Sequence, residues 1–460
     1  MKQLKILKVE NPIQELCIAY GLLAILRQND VNCRLINKKA CYVISIQDDV
    51  NYTELFLDDL PFEKVNNLNS TINKSETEKL LAKIHSFFDC EENLENIFRY
   101  YETLDDWFIS SYKRDEGALY IGTCFYSKGL RSYKAPKSER IYPFEKFLSF
   151  LGFHYASSYV RLSDEVEISW LLEPKEIEDV LKIELFSYVD KETGEVKSLR
   201  KIRDDSKVVT LSRIYLEIIQ YLKGEQISSN YDGLWVMQVV PTNNKPLMDK
   251  VKMFTILDLN EKSLEELLKK VTYSTVNRDC KYATASYVLS PDADSLFKMI
   301  QQYVKRNETI SENTAKELLK LNAFQDIYNA EVITKLGRGL NRLVRDKKGH
   351  SMQVSLMSCV HEEDLIKVLQ EMSLLYNRNY KTYLLNDDNM NELMSLLNNG
   401  VKLKTLSNLI LLSSNTFKEK VNKSEEVLAN DNETYILTDE KGQPEYKSVE
   451  ENKELLKNIA

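Results

Sequence analysis

PIQELCIAYGLLAILRQNDVNCRLINKKACYVISI, residues 12–46, decides the fold class of this 460-residue chain. In its first half, residues 12–28, apolar side chains fall on nearly every side of a 3.6-residue helical period. Pro12 stands where a first helical turn tolerates a missing N–H. The pattern therefore predicts a helix buried over most of its circumference. In the second half, CRLI and CYVISI are short runs with β-branched and aromatic residues, joined by the polar NKKA. That is the pattern of a hairpin. A buried helix leading straight into a hairpin predicts an α+β fold.

Outward from this core the same reading extends along the chain. Residues 51–110 are predicted helical, with KLLAKIHSFF and ENIFRYYETLDDWF the clearest segments. Between 117 and 215 strands are predicted at ALYIGTCFYS, YASSYVRL and EVEISWLL, with a hairpin at SYVDKETGEVKSL. PFEKFLSFLGF reads as a helix among them, and VTLSRIYLEIIQYLKG as another that stops at Gly224. LWVMQVV and KVKMFTILDL read as strands. From residue 290 the period turns helical: a helix capped by Asp292 or Asp294 runs to Arg306, and one capped by Ser311 or Asn313 runs to Leu321. Further helices are predicted at 326–346, 361–377, 388–399 and 403–417, with Gly400 as a stop. The expected organisation is a mixed N-terminal α/β body over 1–289, a helical bundle of four to six helices over 290–424, and an acidic, weakly ordered tail over 425–460.

Composition bounds the function. Hydrophobic residues make up 43% and charged residues 29%, as in folded soluble chains. The seven cysteines are odd in number and none shows CxxC spacing, so reduced thiols in the cytoplasm are expected. MKQLKILKVENP turns polar before any long apolar run, and LCIAYGLLAIL is too short for a bilayer span, so neither a leader nor a membrane segment is expected. The net charge of −8 speaks against a simple nucleic-acid binder. However, residues 425–460 hold ten acidic and four basic residues, so the body is close to neutral and has room for local basic patches.

One such patch is KLGRGLNRLVRDKKGH, residues 335–350. On a helix, Lys335, Arg338, Arg342 and Arg345 fall at i, i+3, i+7 and i+10 and share one face, opposite Leu336, Leu340, Leu343 and Val344. Lys347 and Lys348 extend its positive end, with Asp346 the one opposing charge. Guanidinium groups suit phosphate because each can fork two hydrogen bonds onto an anion. A solvated charged face is the alternative, although such faces usually mix signs. Gly337 and Gly339 each cost about 1 kcal/mol in a helix, which suggests a close backbone approach. A second basic region, residues 111–146, carries Lys128, Arg131, Lys134, Lys137 and Arg140 in a predicted loop, interleaved with tyrosines; it suits DNA contact or mere solubility.

Catalytic signatures are sparse. There is no GxxxxGK[ST] and no GxSxG. HEEDL at 361–365 lacks the second histidine of a zinc-protease helix, so His361 is expected simply to begin a helix. GRG at 337–339 lacks a third glycine, and in PDADSLFK helix capping accounts for Asp292 and Asp294 better than a nuclease carboxylate cluster does. No catalytic residue, cofactor or metal is expected.

The chain resembles the large subunit of type I CRISPR surveillance complexes, the Cas-eight family, nearest to its divergent I-A and I-B forms. NPIQELCIAYGLLAILRQNDVNCRLI, PFEKFLSFLGFHYASSYVRL and AFQDIYNAEVITKLGRGLNRLVR carry the resemblance; the paired CxxC motifs of some relatives are missing. The resemblance implies a subunit without catalysis. Its N-terminal body would hold the 5′ end of a CRISPR RNA and recognise the short motif beside a double-stranded DNA target. Its helical domain would line the path of a DNA strand, stabilising the R-loop. The implied partners are the complex's backbone subunits and a separate helicase-nuclease, with no membrane. Lys335, Arg338, Arg342 and Arg345 would contact the strand backbone, as would the 128–140 loop with less support. Two rivals remain at this stage: a metal-dependent nuclease, and a structural subunit of another assembly.

Overall fold

In the computed structural model the described residues are 2–8, 12–56, 91–112, 142–163, 166–183, 185, 187–189, 196–198, 207–241, 246–273, 275–417, 436–438 and 444–446. Strand β1 (Lys2–Leu7) precedes helix α1 (Pro12–Gln28), and β2 (Cys33–Asn37) with β3 (Cys41–Ile46) forms the antiparallel hairpin expected around NKKA. Every α1 residue from Ile13 to Leu26 is buried except Glu15, in keeping with the unbroken apolar pattern. After α2 (Glu91–Thr103) and α3 (Pro143–Ala156) come β4 (Ser158–Ser163), β5 (Val166–Pro174) and the short β6 (Glu176–Ile177). The latter completes a first antiparallel sheet in the order β1-β3-β2-β6. A separate hairpin, β7 (Ser187–Val189) with β8 (Val196–Ser198), falls where SYVDKETGEVKSL predicts one. Helix α4 (Lys207–Gly224) leads to β9 (Tyr231–Pro241) and β10 (Pro246–Thr255), which pair with the earlier strands as β10-β9-β5-β4, again antiparallel.

Helix α1 lies across α3 at backbone distance. A Cβ on Gly21 would stand 2.3 Å from the Leu148 carbonyl oxygen, and one on Gly152 1.8 Å from that of Cys17. Only glycine permits that approach. The two sheets meet at a buried carboxylate on β5. Glu173 accepts hydrogen bonds from Tyr42 Oη at 2.8 Å, Asn37 Nδ2 at 2.9 Å and Trp235 Nε1 at 2.5 Å, with Lys8 Nζ 3.8 Å away.

Beyond β10, helices α5 (Glu261–Thr272) and α6 (Arg278–Leu289) fill residues 261–289, which the sequence reading left unassigned. Then follow α7 (Ala293–Arg306), β11 (Ile310–Ser311), α8 (Glu312–Lys320), α9 (Gln325–Asn329), α10 (Glu331–Arg345), α11 (His350–Ser358), α12 (Glu362–Tyr380), α13 (Asp387–Asn398), α14 (Leu403–Ser414) and β12 (Thr416–Phe417). Among the described residues the segment 293–414 therefore holds eight helices, more than the four to six expected. The helix expected over 326–346 is broken at Ala330, whose backbone is extended at φ −56° and ψ 137°. Helix α11 buries only Gln353 and Leu356, so it has almost no periodic signature to read. The helix expected to reach residue 417 ends at Ser414, because Thr416 and Phe417 pair with β11 in parallel.

Packing runs unbroken from the sheets into these helices. Helix α4 lies on α5 and α6, α6 on α7, α7 on α14 and α14 on α10. Tyr215 of α4 donates to the Thr255 carbonyl, tying this layer to the edge strand β10. One apolar core accordingly extends from Leu4 to Leu412. Residues 418–460 form a separate unit, within which β13 (Ile436–Thr438) pairs with β14 (Pro444–Tyr446).

Candidate nucleic-acid interface

Helix α10 is sharply two-faced. Val332, Ile333, Leu336, Leu340 and Leu343 are buried. Ala330 offers no side-chain cap, and the Glu392 carboxylate of α13 takes that place, accepting from the amides of Glu331 at 3.2 Å and Val332 at 2.9 Å. An anion at that end also complements the helix dipole. The two glycines are explained by internal packing rather than by an external ligand. A Cβ on Gly337 would lie 2.2 Å from Ser413 Oγ of α14, and one on Gly339 would lie 2.3 Å from a Leu384 methyl.

Arg338, Arg342 and Arg345 are exposed on the opposite face, with Glu331 at its N-terminal end. Lys335 shares this face but is half-buried, donating to Asn389 Oδ1 at 2.7 Å. Lys348 donates to Asn379 Oδ1 at 2.5 Å, and Lys347 is exposed with a left-handed φ of 60°. Thus the six cations predicted from sequence lie along one helix and its C-terminal turn, but two of them are held by asparagines from neighbouring helices. Arg342 is engaged differently. Its guanidinium carbon stands 4.0 Å from the ring centroid of Tyr380, and Nη1 donates to Tyr376 Oη at 3.4 Å. That hydrogen bond, chiefly, raises the arginine's already high pKa. Tyr380 in turn donates to the Asp346 carboxylate, which pushes the phenol up because ionising it would set two negative charges side by side. Among the described residues Arg338 and Arg345 make no hydrogen bond or ion pair. This surface thus offers two unengaged guanidinium groups, flanking a third that is fixed against an aromatic ring.

No family model matches this chain, and no curated protein matches it either. The site must be weighed on its own geometry.

Tyr376, Tyr380, Asn379 and Asn389 do not emerge from sequence reasoning. They stand more than thirty residues from the arginine stripe, and the one signal they carry is the i, i+4 tyrosine spacing in YNRNY. Lys128, Arg131, Lys134, Lys137 and Arg140 lie outside the described residues, as do the predicted strand at ALYIGTCFYS and the helix at KLLAKIHSFF. Two residues read from the sequence as helix starts occupy those places. Asp292 caps α7, accepting from the Ser295 amide at 2.7 Å, which draws its pKa down, while Asp294 pairs with Lys404 at 3.1 Å. His361 sits at the start of α12. Cys17, Cys33, Cys41, Cys280 and Cys359 are free thiols. Among the described residues no group of three His, Cys, Asp or Glu side chains is placed to hold a metal ion, and no helix is long and apolar enough to cross a membrane.

Proposed function

We propose that this protein is a nucleic-acid-binding, non-catalytic large subunit of a type I CRISPR RNA-guided surveillance complex. The observation that carries the nucleic-acid part is the outer face of α10, where Arg338, Arg342 and Arg345 stand exposed in line between Glu331 and Asp346, on a chain whose net charge is −8. Setting three arginines in line disfavours the free protein through mutual repulsion, and a polyanionic strand relieves it. Base pairing by the CRISPR RNA would read the target sequence, while the protein would read the adjacent motif and hold the opened strands of the R-loop, a division of labour known from another RNA-guided effector. The assembly part rests on the resemblance in sequence. Its partners are CRISPR RNA, double-stranded target DNA, backbone subunits and a separate helicase-nuclease, all in the cytoplasm.

The test is purification of the protein from its own cells at moderate salt, with the RNA run on a gel and the accompanying proteins weighed. A short RNA of defined length with several copies of a repeated subunit is the expected result. Recovery in a stable complex that holds no nucleic acid would replace this reading with that of a scaffold for another assembly. Metal-dependent cleavage of DNA by the pure protein would replace it with a nuclease.

A further inference from the structure

We propose that Arg342 is a stacking plane for an unpaired nucleobase rather than a fork for phosphate, so that the ligand of this face is single-stranded nucleic acid. The proposal rests on the nucleic-acid reading above and adds the form of the strand. Arg342 differs from its neighbours on the stripe. Its guanidinium is laid against the Tyr380 ring at 4.0 Å and hydrogen-bonded to Tyr376 at 3.4 Å. The two tyrosine rings brace each other, with centroids 4.5 Å apart and planes inclined by 53°. The Tyr380 hydroxyl is held by Asp346 and also lies 3.4 Å from the Arg342 carbonyl oxygen, so both ends of the arrangement are fixed to α10 itself.

An exposed arginine ordinarily keeps most of its rotamer freedom, and orienting it upon binding costs affinity. Here that orientation exists before any ligand arrives. With one side against Tyr380, what Arg342 exposes is the side away from the ring. Bases splayed from a single strand stack on guanidinium planes as they do on aromatic rings. Paired bases of a duplex have both faces already covered, so a duplex can meet this surface through phosphates, sugars and base edges but not by stacking. Arg338 precedes Arg342 by four residues and Arg345 follows it by three, so each stands about one turn away with its donors unengaged and available for the flanking phosphates.

The experiment uses the full chain and fluorescence anisotropy with four probes of equal length: a single-stranded DNA, the same strand with its bases removed as abasic sites, its duplex, and a single-stranded RNA of the same sequence. The base-bearing DNA strand is expected to bind at least about fivefold more tightly than the abasic one. Arg342→Lys, which keeps the charge and loses the plane, is expected to abolish that preference. The double variant R338Q/R345Q should weaken both strands alike and keep the preference. Tighter binding of RNA or of DNA names the favoured strand, and either supports the stacking plane. Equal binding of base-bearing and abasic strands, or a preference that survives Arg342→Lys, would overturn this proposal and leave general nucleic-acid binding standing. Failure of all four probes to bind would overturn both together.

Discussion

Glu173 shows at the residue scale how the two sheets are held together. Its carboxylate is buried, and burial raises its pKa, while Trp235, Tyr42 and Lys8 pull the other way. Of its two oxygens, Oε1 accepts from Tyr42 and Asn37 and Oε2 accepts from Trp235. An amide cannot replace it: whichever way Gln is turned, its NH2 meets an N–H or O–H donor. Glu173→Gln should therefore destabilise the protein by about 1–3 kcal/mol, read as a lower midpoint in urea. The pH dependence supplies a second check. A carboxyl whose folded pKa lies above its unfolded one contributes stability that is full below the unfolded value and lost as pH rises through the folded one. The wild type should show such a loss as pH rises through this raised pKa, and the Gln variant should lack it. None of this was legible in EVEISWLL, the strand predicted to end one residue earlier. A buried carboxylate is specified by Asn37, Tyr42 and Trp235, which lie between 62 and 136 residues away.

At the scale of elements, α10 was legible and its setting was not. The alternation of Leu336, Leu340 and Leu343 with the cations is local, and a 3.6-residue period exposes it whatever surrounds the helix. The same locality made α1, α4, the NKKA hairpin and the Gly400 stop readable, the last with its left-handed φ of 82°. The glycines invited a different inference from the one the packing supports. Gly337 faces Ser413, so a methyl group there must force α10 away from α14, since the Ser413 carbonyl carbon would also lie only 2.9 Å from it. Gly337→Ala should cost about 1–3 kcal/mol by overpacking, despite Ala's better helix propensity. Gly224→Ala is the matching control. Nothing lies within 4 Å of a Cβ at Gly224, at the end of α4, so that substitution should be neutral or stabilise by up to about 1 kcal/mol. Thermal or urea unfolding of the two variants separates the explanations. If both behave alike, close packing is not why residue 337 is glycine.

At the scale of the whole molecule, the question is whether an acidic protein binds a polyanion through a local face or through charge in bulk. Net charge acts over the whole surface and is screened within about 8–10 Å at ordinary ionic strength, so a patch can govern contact while the total governs only the approach. Replacing Arg338, Arg342 and Arg345 together by Gln should flatten the dependence of log K on log salt by roughly two units, because fewer counterions are released from the strand. Lys262, Lys298 and Lys305 are equally exposed but sit on α5 and α7, away from the stripe. Changing these three to Gln alters the net charge by the same amount and should leave the slope where it was. Each set replaces only exposed side chains, so neither is expected to disturb the core. Equal flattening by both sets would mean that affinity follows total charge, and the outer face of α10 would then be a solvated surface like any other. A fall confined to the arginine set would locate the strand on that helix, and would do so without relying on any resemblance to other proteins.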